Sequence, residues 1–150
     1  MRIVAVFVLA AATVISAAAE AASIEVLFQQ FGLFGTWAID CAQAASPGNP
    51  HVSITAPSLG LVLEDHDLGA DYTINQYRML SAERLSGERL AVEVIFQPGT
   101  AAEERQKLVF LVRDRTRRTM FNQPEGGEVR VKDGIALAHG NRTPVLRKCE

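Results

Sequence analysis

A chain of 150 residues, 48% hydrophobic and with a formal charge of −2, is long enough for one domain with a modest core. That mild acidity, with no aromatics interleaved among the basic residues, argues against a nucleic-acid-binding protein. The charge is unevenly spread: twelve acids face three bases from Glu20 to Glu104, and eleven bases face five acids from Arg105 to Glu150. In a fold whose ends meet, such halves attract across the closing seam or present one acidic and one basic flank.

The N-terminus reads as a secretory signal. Arg2 supplies a positive start, Ile3 to Ile15 is an apolar run, and Ser16 to Ser23 is rich in small residues. The A-x-A choices at Ala17–Ala19 and Ala19–Ala21 mark cleavage. The expected division is a signal peptide over 1–21 and a single mature domain over 22–150, periplasmic or secreted. The apolar run is too short to span a bilayer comfortably, and no later stretch is expected to cross one. Export implies an oxidising compartment, so Cys41 and Cys149 read as one disulfide rather than as two buried thiols.

Ser23 can cap a short helix with Ile24, Leu27, Phe28 and Phe31 on one face and Gly32 as its stop. Strand patterns follow. Trp37, Ile39 and Cys41 alternate with polar or small residues, and Ser46 to Pro50 breaks the pattern. Val52, Ile54 and Ala56 form a second strand ended by Pro57, and Leu59, Leu61 and Leu63 a third that stops at Glu64-Asp65-His66-Asp67. Tyr72 to Glu83 is a longer extended stretch whose apolar residues change parity, which predicts a bulge. Leu90, Val92, Val94 and Phe96 share one face, as do Leu108, Phe110 and Val112. Val129–Lys132 and Ile135–Ala138 flank Asp133-Gly134, a strong hairpin signal, and Val145–Cys149 is the last strand. About eight to ten short strands at regular spacing read as an all-β antiparallel up-and-down barrel behind a short N-terminal helix. A Cys41–Cys149 bond then ties the first strand to the last.

The short apolar helical turn followed by Gly35-Thr36-Trp37 resembles the Gly-x-Trp start of lipocalin-type (calycin) barrels. The chain is also similar to exported bacterial proteins with a Gly-Thr-Trp start and a C-terminal Lys-Cys. The lipocalin resemblance implies that Gly35 and Trp37 close one barrel end, with Arg147 of the last strand packed across the indole. It further implies non-enzymatic binding of a small apolar or amphipathic ligand, or lipid, in a cavity lined by residues such as Leu61, Tyr77, Val94 and Phe110. The same N-terminal pattern is similar to small periplasmic barrel inhibitors of bacterial metalloproteases, which implies a secreted protease as partner instead. A purely structural envelope protein is the third reading.

Other constellations carry less. Consecutive residues of a strand point to opposite sides, so Glu64-Asp65-His66-Asp67 reads as a solvated hairpin tip rather than a metal site. His51, His66 and His139 lack zinc-site spacing, no nucleophile elbow marks a catalytic serine, and both cysteines are committed. No enzyme, metal or cofactor is therefore expected. Arg113, Arg115 and Arg117 line one face if their strand continues, giving either an anion site or a solubilising face; the second is preferred.

Overall fold

The computed structural model describes residues 24–150; the expected signal peptide lies outside them. A short helix, α1 (24–30), leads into eleven strands. These are β1 (Gly35–Ala38), β2 (His51–Ser58), β3 (Leu61–Asp67), β4 (Asn75–Arg84), β5 (Arg89–Phe96), β6 (Glu104–Arg113), β7 (Thr116–Pro124), β8 (Val131–Lys132), β9 (Ile135–Ala136), β10 (Asn141–Arg142) and β11 (Leu146–Lys148).

Every pairing is antiparallel. β1 to β7 follow one another, β7 pairs with β11, and β11 pairs with β1, so eight strands close on themselves as a barrel. Closure leaves no barrel edge to template aggregation. β8, β9 and β10 extend from β7 as a small side sheet. Asp133-Gly134 makes the expected turn there, with φ of 51° and 72°.

The inward face is set by pleat and register. Val52 and Ile54 are buried and lie opposite His66 and Glu64, so those two residues also point inward. Leu63, opposite Thr55, and Leu61 must then face outward, where both are half-buried. The expectation that Leu61 lines the interior is thus corrected, and Leu59, expected in the third strand, is an exposed turn residue. The acidic stretch is the second half of β3, not a hairpin tip.

On β5 and β6, Leu90, Val92 and Val94 lie opposite Phe110, Leu108 and Gln106, and all six are buried. The parity change expected near Tyr72 falls later. A bulge separates Met79 from Ser81, and Tyr72 and Ile74 are exposed loop residues ahead of β4. A second bulge at Val109/Phe110 shifts β7, so Arg117, Thr119 and Asn122 lie opposite Val112, Phe110 and Leu108. Pro57 does not end β2; it lies where the β2–β3 register slips, between Thr55 and Ser58, and the lost N–H does least harm there.

One barrel end is sealed. Ile24 and Phe28 on one face of α1, with Phe31 and Leu33 after it, join Trp37 in the core. Gly32 stops the helix with φ +63°. The Trp37 indole is 1% exposed and donates from Nε1 to the Leu33 carbonyl at 2.8 Å. Its cation partner is Lys148, not Arg147. Lys148 lies opposite Trp37 in the ladder and its Nζ stands 5.6 Å from the ring centroid, while Arg147 lies opposite Ala38 and is exposed. Alternation alone would carry the Trp37 parity on to Cys41, but the chain leaves the ladder after Ala38. The Cys41–Cys149 disulfide is present, its cysteines at least partly exposed rather than beneath Trp37. Gly35, at φ +109°, bends the chain into β1.

Candidate functional site

Opposite the sealed end, the interior changes character. Glu64 and Arg117, 3% exposed each, meet between β3 and β7. Arg117 donates from Nη1 and Nη2 to the two carboxylate oxygens of Glu64 at 2.9 and 3.0 Å. His66 Nε2 lies 2.6 Å from Glu64 Oε1, and the Arg117 guanidinium sits 4.3 Å above the Phe110 ring. Burial opposes ionisation of Glu64. The Arg117 charge, the His66 contact and the fork of hydrogen bonds outweigh it and hold the pKa down at about 2. Glu64 is therefore a buried carboxylate neutralised by its partner.

Above this pair is a recess of about 240 Å³. Val52, Met79, Leu108, Phe110 and Leu146 give it apolar walls, and Glu64, His66, Tyr77, Arg117, Arg118 and Asn122 give it polar atoms. Tyr77, Asn122 and Val131 also line an open groove of about 1010 Å³ that runs under the side sheet. The Tyr77 ring lies 4.9 Å from His66 and 5.0 Å from Phe96, so three rings form one wall. Burial, followed by the Glu64 charge, pushes the Tyr77 hydroxyl up to about 12 and keeps it a neutral donor.

Of the four residues expected to line a cavity, Tyr77 and Phe110 do so. Val94 is fully buried, opposite Gln106 on the next strand, and is not among the residues lining the recess. Leu61 is on the outside for the register reason above. The three arginines expected on one face are dispersed. Asp114 and Arg115, with φ of 49° and 59°, form a two-residue turn that ends β6. Arg113 is then held outside by Glu88 at 2.6 and 2.8 Å, Arg115 lies 3.8 Å from Glu150, and Arg117 is inside. They do not form an anion site together.

Gln106 and Asn122 are site residues that the sequence did not single out, while Glu64 and His66 stood in a stretch expected to be a solvated hairpin tip and Arg117 was grouped with Arg113 and Arg115. The signal was available for two of them: once Val52 and Ile54 face inward, the β2–β3 hairpin carries Glu64 and His66 inward too. Of the acidic stretch, only Glu64 and His66 converge; among the described residues no three metal-binding side chains gather.

The barrel topology is compatible with a lipocalin-like architecture. No family model, curated protein or solved structure matches the chain.

Proposed function

We propose that the protein is an exported, non-enzymatic binding protein that holds a small amphipathic ligand in the open half of its barrel. The observation that carries this reading is the recess itself, apolar in its walls, polar in its floor and continuous in lining with a surface groove. A pocket that is mostly apolar with a few fixed polar groups is the usual form of a small-molecule site. Its volume exceeds the ~150 Å³ that accommodates a benzene ring in a protein interior. The signal-like N-terminus and the disulfide support an oxidising, extracytoplasmic location.

Native mass spectrometry of gently purified protein tests the reading. The expected result is an added mass below roughly a few hundred daltons, lost on denaturation and lost in a Met79→Trp variant that fills the recess. A protein that carries no added mass, and takes none up from a panel of amphipathic compounds, would contradict it.

A further inference from the structure

The polar chain that runs from the outer surface into the recess has a fixed direction. Arg130 donates to both oxygens of Glu104, at 2.7 and 2.8 Å, and hydrogen bonds from Arg130 hold that carboxyl below its usual pKa. A carboxylate only accepts, so Gln106 must offer its amide nitrogen, which it does at 2.6 Å. Gln106 Oε1 is thereby turned toward Asn122 and accepts from Asn122 Nδ2 at 2.7 Å. The orientation of Asn122 follows from the chemistry of Glu104 two links away. What remains is Asn122 Oδ1, a buried acceptor without a hydrogen-bond partner among the described residues. Asn122 stands where the recess and the groove adjoin.

The cationic groups of the recess are already engaged. Arg117 is spent on Glu64. Arg118 donates to the Gly134 carbonyl at 2.6 Å and to Thr143 Oγ1 at 3.0 Å, and the Thr143 hydroxyl in turn donates to the Thr119 carbonyl at 2.7 Å. An entering carboxylate would find the Tyr77 hydroxyl and the Arg118 charge, but Arg118 already donates to two neutral oxygens. The carboxylate would also meet the Glu64 charge and leave Asn122 Oδ1 against another acceptor, while an entering hydroxyl or N–H would meet an acceptor that needs it.

We infer that the ligand is an uncharged amphipathic molecule whose polar end is a hydrogen-bond donor, an alcohol or an amide N–H, held by Asn122 Oδ1. This rests on the ligand-binding reading above. An unpaired buried acceptor is costly, so a ligand that satisfies it gains and one that buries it again loses.

Octan-1-ol and heptyl methyl ether are isomers that differ in having or lacking the donor, and octanoate is the charged counterpart. Titration calorimetry with the three should rank the alcohol about tenfold or more above the ether, the factor that corresponds to one well-placed hydrogen bond. Octanoate should bind more weakly than the alcohol. In Asn122→Leu the preference for alcohol over ether should vanish while ether binding persists. Equal binding of the two isomers to the wild type, or tightest binding of octanoate, overturns the donor assignment and leaves the cavity reading standing. Failure of all three to bind overturns both. The isomer comparison needs no variant, so an Asn122→Leu chain that misfolds leaves the test decisive.

Discussion

Glu64 enters the barrel because it lies opposite the buried Ile54, and Arg117 enters because it lies opposite Val112 on the inner face of the β6–β7 hairpin. Each would be expelled without the other. Two charges removed from water repay that cost only through close geometry, here a two-pronged guanidinium–carboxylate pair. Glu64→Gln should therefore cost about 3–5 kcal/mol, because it leaves an uncompensated buried guanidinium. The double change Glu64→Leu with Arg117→Met should recover most of the loss, since it removes both charges; urea denaturation at neutral pH measures both. The pH dependence follows with a definite sign. The folded pKa of Glu64 lies near 2, below its ordinary 4.5. Its contribution is fully present above 4.5 and is lost as pH falls from there toward 2. Wild-type stability should drop through that window more steeply than that of the double variant. Parallel curves would show that the pair is not what acid breaks.

Hairpins decide how the strands deliver these residues, and they also decide what pattern reading can see. Asp133-Gly134 is legible because glycine tolerates positive φ, and the β8–β9 hairpin forms there. Asp114-Arg115 adopts the same kind of turn without a glycine, so an alternating run of arginines reads as one continuing strand. That single hidden turn sends Arg113 outside and Arg117 inside. The antiparallel barrel strands and the disulfide were legible, because alternation, turn residues and a single pair of cysteines each leave a local trace, whereas the burial of Trp37 was implied only by the resemblance that Gly35-Thr36-Trp37 carries. The polar floor was not, because a buried Glu64 is paired to a residue 53 positions away and no local trace records that contact. Leu61 illustrates the same limit: hydrophobicity alone points it inward, and only the β2–β3 register turns it out. A non-glycine residue at positive φ costs roughly 1–2 kcal/mol, part of which glycine returns through its freer unfolded chain. Asp114→Asn with Arg115→Gly should thus stabilise the barrel by up to about 1 kcal/mol, as seen in chemical denaturation. A loss would mean that the Arg115 side chain contributes more than its backbone strain removes.

Across the whole molecule, the acidic and basic halves meet as strand neighbours and across the interior. Glu88 pairs with Arg113, Glu93 with Arg105 and Lys107, Glu104 with Arg130, and Glu64 with Arg117. The exposed pairs are worth little each. The barrel must instead be closed at the β1–β11 seam, and that seam is thin. Only Trp37↔Lys148 and Ala38↔Arg147 pair across it, with one further bond from the Cys149 amide to the Thr36 carbonyl at 2.8 Å. β5 and β6, by contrast, are paired along their length from Arg89↔Leu111 to Phe96↔Glu104. The disulfide spans a sequence separation of 108 and sits beside the thin seam. It therefore acts in two ways: it restricts the unfolded chain, and it holds the terminal strands together in the folded one. The first effect alone is valued at about 4.7 kcal/mol for a loop near 100 residues, and measured losses run about 2–5 kcal/mol. Cys41→Ser with Cys149→Ser should lower global stability within that range. Amide exchange separates the two effects. If the bond also holds the seam, amides of β1 and β11 in the variant should open with free energies below the global value, while those of β5 and β6 still report global unfolding. If it acts only through the unfolded chain, every protected amide should lose the same free energy, and the seam would have to be held by Trp37 and its neighbours alone.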